Sequence, residues 1–258
     1  MTKSALVTGA AKRIGRAVAF ALARQGYAIG VHYGTSDAAA HELVGELRAL
    51  SVRAEALQAD LSDPDSVKGL IPAAVAALGP LSVLVNNASV FFDDRLGSMT
   101  VECWDQHMRT NLLAPVLLAQ AFAAQGGVPD GAAIINLIDQ RVLKPSPPFF
   151  SYGLSKAGLW HATRTLAQEL APRIRVNAVG PGPTLPSIHQ SAEDFESEAA
   201  STLLQKRVTP DEIAEAVVYL TQARSVTGQM ICVDSGQHLG WQTPDMEGLL
   251  TYFVRSTL

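Results

Sequence analysis

Apolar residues gather in short strand-like runs, each followed by a longer stretch in which they recur every three or four positions. The first block is Ala5-Leu6-Val7, and others stand at 28–33, 52–57, 81–85, 132–138, 174–176 and 230–233. Between them the helical period occupies 14–25, 37–50, 62–78, 100–124, 151–170 and 211–221. Mostly apolar runs of this length mark strands of a covered sheet, and the longer period marks helices lying on it. Punctuation agrees: Gly26 stops the first helix, Asp37 caps the second, Pro64 opens the third and Gly79-Pro80 ends it. Such alternation predicts a single-domain α/β architecture, a doubly wound parallel sheet of about seven strands with helices on both faces. Ligands then bind outside the carboxyl ends of the strands.

The 258 residues, 48% of them apolar, suffice for one well-filled domain. A net charge of -4 without any Lys/Arg run argues against a nucleic-acid or membrane-surface partner and leaves small molecules. Cys103 and Cys232 lack metal-type spacing and read as buried fillers in a reducing cytoplasm. The amino terminus runs straight into a strand, and no stretch approaches a membrane span, so a soluble cytoplasmic protein is expected. Neither an internal repeat nor an interdomain linker is present.

Candidate chemistry begins in the first strand-to-helix loop, Thr8-Gly9-Ala10-Ala11-Lys12-Arg13-Ile14-Gly15. Here backbone N–H groups and a helix amino terminus can face a pyrophosphate, with Gly9 making the tight turn and Gly15 allowing close packing. Lys12 and Arg13 add positive charge. At the end of the second strand, where an NAD site usually carries an acid for the ribose 2′-hydroxyl, there is none. Tyr33, Thr35 and Ser36, with the basic pair, suit a 2′-phosphate instead, which favours NADPH over NAD; the alternative is a plain turn. Further on, Tyr152 and Lys156 are four residues apart and share a helix face. An ammonium beside a phenol lowers its pKa and makes Tyr152 a candidate general acid, although an isolated pair of this kind also occurs on solvated helices.

Together with Asp60-Leu61, Asn86-Asn87-Ala88, Asn111 and Pro181-Gly182, these motifs follow one another in the order of the short-chain dehydrogenases/reductases, which residues 3 to about 239 resemble. The resemblance implies a Rossmann-type fold in which Asp60 and Leu61 line the adenine, and Asn87, Ala88 and Ser89 pass beneath the cofactor. It further implies that Pro181, Gly182 and Thr184 flank the nicotinamide, that Lys156 holds its ribose while tuning Tyr152, and that Asn111 holds a water in a proton relay. Asn111 can also be read as a helix kink near Pro115.

Three departures point to a subgroup. Arg13 stands where glycine is usual, Ser89-Val90-Phe91 follows Asn87-Ala88, and Asp139 replaces the usual catalytic serine thirteen residues before Tyr152. This combination resembles the pteridine and dihydromonapterin reductases. Reduction of a ring C=N needs a proton at nitrogen and develops no alkoxide, so a carboxyl that pairs with amino and ring N–H groups replaces the serine hydroxyl. Arg13 would reach towards the substrate and Phe91 would stack on a flat heterocycle; a core or loop aromatic is the other reading of Phe91. If Asp139 is only a loop carboxylate beside Arg141, a carbonyl or alcohol reductase is the alternative. A non-catalytic NADPH-binding sensor is the reading from another class.

Residues 184–206 carry Ser187, His189, Ser191 and several acids with few apolar anchors, and are expected to form a mobile lid. Residues 240–258, with Trp241, Leu249, Leu250, Tyr252 and Phe253, form an apolar tail expected at a subunit interface. A homotetramer is what the resemblance implies.

Overall fold

The structure, a computed structural model, describes residues 3–186 and 190–241. Ser187 and His189, and the tail beyond Trp241, lie outside the described residues.

The strands are β1 (Ser4–Val7), β2 (Ala28–Tyr33), β3 (Ala54–Gln58), β4 (Val83–Asn86), β5 (Ala132–Leu137), β6 (Ile174–Pro181) and β7 (Met230–Val233). They pair in parallel in the order β3-β2-β1-β4-β5-β6-β7. The chain therefore winds outward from β1 to β3, returns to the other side of β1 as β4, and continues outward. That reversal leaves a crevice at the carboxyl ends of β1 and β4.

The helices are α1 (Arg13–Arg24), α2 (Asp37–Ala49), α3 (Pro64–Leu78), α4 (Val101–His107), α5 (Ala114–Ala124), α6 (Phe150–Leu170), α7 (Ala192–Ala200) and α8 (Pro210–Gln222). One face of the sheet is covered by α1, α2 and α8 through Val18, Leu22, Leu43, Leu47, Ile213 and Val217, and the other by α3 and α5, with Ala167 of α6, through Leu70, Ile71, Leu118 and Phe122. Each side chain of this size contributes about 1.5–3 kcal/mol on burial, so the two apolar layers fix the order of the strand ends. Local signals agree: the Asp63 carboxylate accepts N–H bonds from Asp65 and Ser66 at the head of α3, and Thr209 with Glu212 forms a capping box on α8.

Two expectations need correction. The predicted lid loop contains α7, because Ser191 and Asp194 form a capping box and Phe195 and Ala199, one helical turn apart, are both buried. The long helix predicted over 100–124 is divided by a π-helical segment, Met108–Leu113, which carries Asn111. Cys103 and Cys232 are free thiols, partly rather than fully buried. Trp241, the last described residue of the predicted tail, remains half exposed. Among the described residues no helix is long and apolar enough to cross a membrane.

Candidate active site

At the first loop, Gly9 leaves β1 with φ +61°, a conformation that side chains resist. A Cβ on Gly15 would stand 2.2 Å from the Gly9 carbonyl oxygen and 2.6 Å from Asn87 Nδ2. The loop is thus packed backbone on backbone beneath the start of α1. Asn87, just past β4, donates through Nδ2 to the carbonyls of Thr8 (2.8 Å) and Gly9 (3.1 Å), while Thr8 Oγ1 accepts the N–H groups of Asn87 and Ala88. His32 of β2 completes the tie. Its Nδ1 accepts the Gly9 N–H at 3.0 Å, so the ring proton resides on Nε2 and donates to the Ala59 carbonyl at 3.1 Å. Burial lowers the His32 pKa to about 4 and keeps the ring neutral.

This framework opens a cleft of about 770 Å³ bordered by Gly9, Thr35, Ser36, Asp60, Leu61 and Ala88. Asp60 Oδ1 accepts bonds from the Ser62 N–H and hydroxyl, which hold its pKa below the usual carboxylate range. Lys12 and Tyr33 do not line this cleft. Lys12 is exposed at the start of α1, and the Tyr33 hydroxyl donates to Asp37 at 2.7 Å. Asp37 also lies 3.4 Å from His41 Nδ1. Asp37 is therefore engaged at the head of α2, and the acid that borders the cleft is Asp60.

A second cleft of about 530 Å³ adjoins the first, with Ser89 shared between them. It gathers Arg13, Ile14, Asn87, Phe91, Asp139, Tyr152 and Lys156, and is closed by Pro181, Gly182 and Thr184 after β6. The structure thus brings together residues separated by most of the chain. Asp139 follows β5: its Oδ1 accepts the Arg141 N–H at 2.8 Å, and its Oδ2 accepts the Tyr152 hydroxyl at 2.9 Å. It is a cleft carboxyl, not an exposed loop acid. Lys156 Nζ, one turn further along α6, donates to the Leu137 carbonyl at 2.9 Å and lies 5.7 Å from the centroid of the Tyr152 ring.

The electrostatic direction differs from the expectation for Tyr152. Burial, and then the Asp139 charge and hydrogen bond, push the phenol well above its ordinary pKa. Burial likewise raises Asp139 against the opposing pull of Arg141, and lowers Lys156 to about 8. The ammonium does not make the phenol acidic here, because it is turned to Leu137 and the carboxyl is the nearer group. The buried carboxyl and phenol, each shifted towards its protonated form, share one hydrogen bond and can pass a proton between them.

Aromatic rings wall the cleft. Phe91 stacks on Phe149 with centroids 4.3 Å apart and planes at 19°, and meets Tyr152 edge to face at 4.7 Å. The Arg141 guanidinium lies over Phe149 at 5.2 Å and over Phe91 at 5.9 Å. Arg13, at φ +54°, directs its guanidinium across the mouth to the carbonyls of Leu185 and Pro186, both at 3.2 Å. Asn111 is fully buried and its side chain is saturated: Oδ1 accepts from Ser89 Oγ and the Val90 N–H, while Nδ2 donates to the Val90 carbonyl and Ser155 Oγ. Those four bonds position the 89–90 backbone and leave the side chain no bond for the expected water relay.

His32 and Phe149 escaped the sequence reading. Their signals were a histidine inside an otherwise apolar strand block and an aromatic pair, Phe149-Phe150, immediately before Ser151-Tyr152.

With this geometry in place, the likenesses to known proteins can be interpreted. Residues 9–238 match the family model described as enoyl-(acyl carrier protein) reductase. A 3-oxoacyl-[acyl-carrier-protein] reductase, FabG, of Staphylococcus aureus is 38% identical over 93% of this chain and 99% of its own. The crystal structure of FolM alternative dihydrofolate reductase 1 from Brucella suis in complex with NADP superposes with a TM-score of 0.91 at 44% identity, covering 95% of this chain and 99% of that one. A blue fluorescent protein from a metagenomic library in complex with NADPH gives a TM-score of 0.85 at 36% identity, over 91% of this chain and 97% of that one. Matched along almost its whole length in this way, and folded on the same seven-stranded parallel sheet, the chain belongs to the short-chain dehydrogenase/reductase family.

Proposed function

We propose that the protein is an NADPH-dependent reductase that transfers hydride to a C=N bond of a pterin-like heterocycle. The observation that carries this reading is the Asp139 to Tyr152 hydrogen bond inside a cleft walled by Phe91 and Phe149. The 44% identity to an alternative dihydrofolate reductase solved with NADP supports it.

The residues suit the cofactor. A backbone cradle too tight for any Cβ at Gly15, the amino terminus of α1 above it, and a 2′ corner of Thr35 and Ser36 fit a dinucleotide carrying a 2′-phosphate. Asp60 and Leu61 would border the adenine, and Asn87, Ala88 and Ser89 the middle of the molecule. Pro181, Gly182 and Thr184 would border the nicotinamide end. When bound, the nicotinamide supplies the hydride.

The chain's own part is to orient the heterocycle and supply a proton. Phe91 presents an aromatic edge or face to a flat ring, Arg13 reaches it from the mouth, and Asp139 accepts from its amino or ring N–H groups. Tyr152 donates the proton to ring nitrogen, and Asp139, whose proton affinity is raised by burial, replenishes it. Lys156, drawn to the Leu137 carbonyl, is placed to hold a ribose hydroxyl.

Reduction of a 3-oxoacyl or other ketone is the second reading, favoured by the 38% identity to FabG. The two are separated by following NADPH oxidation with dihydrobiopterin, dihydromonapterin and dihydrofolate beside β-keto esters, diketones and 3-oxoacyl thioesters. Preferential turnover of a pterin is expected. Turnover confined to carbonyl compounds would overturn the heterocycle reading, and NADPH binding with no turnover on either set would favour a sensor.

A further inference from the structure

Behind the Asp139-Tyr152 pair lies a second polar cluster that none of these roles uses. Asp94, Ser151 and His107 come from the loop after β4, the first turn of α6 and the last turn of α4, and all three are buried. Asp94 accepts the Ser151 N–H through both carboxylate oxygens, at 3.1 and 3.2 Å, and also accepts its hydroxyl. His107 Nδ1 lies 2.6 Å from Ser151 Oγ, and His107 Nε2 accepts the Phe92 N–H at 3.2 Å.

These contacts determine every proton. Because Phe92 N–H points at Nε2, the neutral ring carries its hydrogen on Nδ1 and donates it to Ser151 Oγ. The Ser151 hydrogen is then free to go to Asp94. Burial lowers the His107 pKa, against the pull of Asp94 and with the help of Lys156, which keeps the ring in this neutral form. The Cys103 thiol, 3.8 Å from Nδ1 and 4.0 Å from Asp94 Oδ2, closes the cluster on the α4 side. Ser151 Oγ fills the middle of the group, so the cluster binds to itself rather than presenting ligands.

Each end of this chain is one residue from the cleft. Ser151 precedes Tyr152, and Phe92 follows Phe91. The His107 ring also meets the Tyr152 ring edge to face at 5.9 Å and the Phe92 ring at 5.5 Å. We propose that Asp94, Ser151 and His107 are positioning residues that set the proton-donating phenol and the aromatic wall relative to one another, with His107 bonded towards both. Groups held by such buried supports lose reactivity when displaced by an ångström, about a hundredfold in the steeper cases.

The turnover arm of the test rests on the reductase reading; a spectroscopic arm does not. An amide can replace one imidazole nitrogen at a time. His107→Gln keeps an acceptor near Nε2 for Phe92 and loses the donor to Ser151, whereas His107→Asn keeps the donor near Nδ1 and loses the acceptor for Phe92. With any substrate the wild type reduces, His107→Gln and Ser151→Ala should lower kcat about tenfold with KM within about twofold, because the phenol loses its setting. His107→Asn should chiefly raise the substrate KM, because the Phe91 wall shifts. NADPH affinity, read by fluorescence, should stay within about twofold in all three.

A uniform loss in all variants, or loss of melting temperature with unchanged kcat and KM, would overturn the proposal. If no substrate is turned over, the reductase reading fails by itself. The positioning is then read from 13C-tyrosine spectra, in which the Tyr152 signal, identified among five tyrosines by Tyr152→Phe, should move in Ser151→Ala and in His107→Gln. An unmoved signal would overturn the positioning role.

Discussion

The Asp139 carboxyl and the Tyr152 hydroxyl share a hydrogen bond of 2.9 Å across thirteen residues, and that bond decides the electrostatics of the cleft. Both partners are driven towards their protonated forms by burial, and the Asp139 charge further raises the phenol. Asp139→Asn keeps a hydrogen-bond acceptor but removes the charge and the exchangeable acid. The Tyr152 pKa should therefore fall towards its ordinary value, seen as a difference in tyrosinate absorbance titration against Tyr152→Phe. Pterin reduction should fall about a hundredfold, the usual scale for a lost acid or base. Unchanged turnover would mean that Asp139 neither holds substrate nor supplies a proton.

Tyr152→Phe removes the proton donor while leaving the ring in its edge contact with Phe91. We expect kcat to drop by about a factor of 10²–10⁴ with NADPH affinity intact. Substituting Asp139→Ser tests the substrate class instead: pterin turnover should vanish while small ketones are reduced as well as before or better. The opposite pattern would assign the chain to carbonyl reduction.

Gly15→Ala probes the first loop. Its Cβ would press on the Gly9 carbonyl at 2.2 Å and on the Asn87 amide at 2.6 Å, and neither can retreat without breaking the Thr8-Asn87 tie. Overpacking of this kind costs about 1–3 kcal/mol, and here the strain falls on the surface offered to the cofactor. The expected result is a rise of tenfold or more in the NADPH dissociation constant, measured by fluorescence titration, with a smaller loss of thermal stability. An unaltered dissociation constant would remove the loop from the cofactor site.

His32 gives the fold an acid sensitivity. Folded, its pKa is about 4 against an ordinary 6.5, so between these values the unfolded chain binds a proton that the folded chain does not. Stability is then fully present above about pH 6.5 and declines as pH falls towards 4, by about 3 kcal/mol at most from this residue. Denaturant unfolding at pH 7 and pH 4.5 should show a smaller difference in His32→Asn than in the wild type. Equal pH dependence in the two would place the acid lability elsewhere.

How far the sequence reveals the site depends on how local each contact is. Strand order, and the gathering of Gly9, Asn87, Asp139 and Tyr152 at one edge, were legible because parallel crossovers bring successive strand ends to the same side of a sheet. Helix α7 was partly legible in Ser191 and Asp194, but its reason to fold is the burial of Phe195 and Ala199 against the rest of the chain. The Tyr152 electrostatics were not legible. Helical spacing shows that Lys156 is near, yet only the fold shows its ammonium turned to Leu137 and Asp139 placed at the hydroxyl. His107 and Ser151 meet across 44 residues, and Phe149 adopts a left-handed backbone to stack on Phe91; neither contact leaves a period or a motif in the chain.

Cofactor preference turns on the corner made by Thr35 and Ser36. Thr35 and Ser36 line the cleft, and the next residue, Asp37, accepts the Tyr33 hydroxyl at 2.7 Å and lies beside His41. A 2′-phosphate there meets hydroxyls rather than a negative charge. Thr35 is exposed, so Thr35→Asp can add a carboxylate without disturbing the core. Like charges brought together cost several kcal/mol when close and poorly screened, and less at an exposed rim. The ratio of kcat/KM for NADPH to that for NADH should therefore fall about tenfold to a hundredfold at low salt, and part of that loss should be recovered as salt is raised. A ratio insensitive to both the substitution and salt would place the 2′-phosphate away from Thr35 and leave the preference to Arg13 or Lys12.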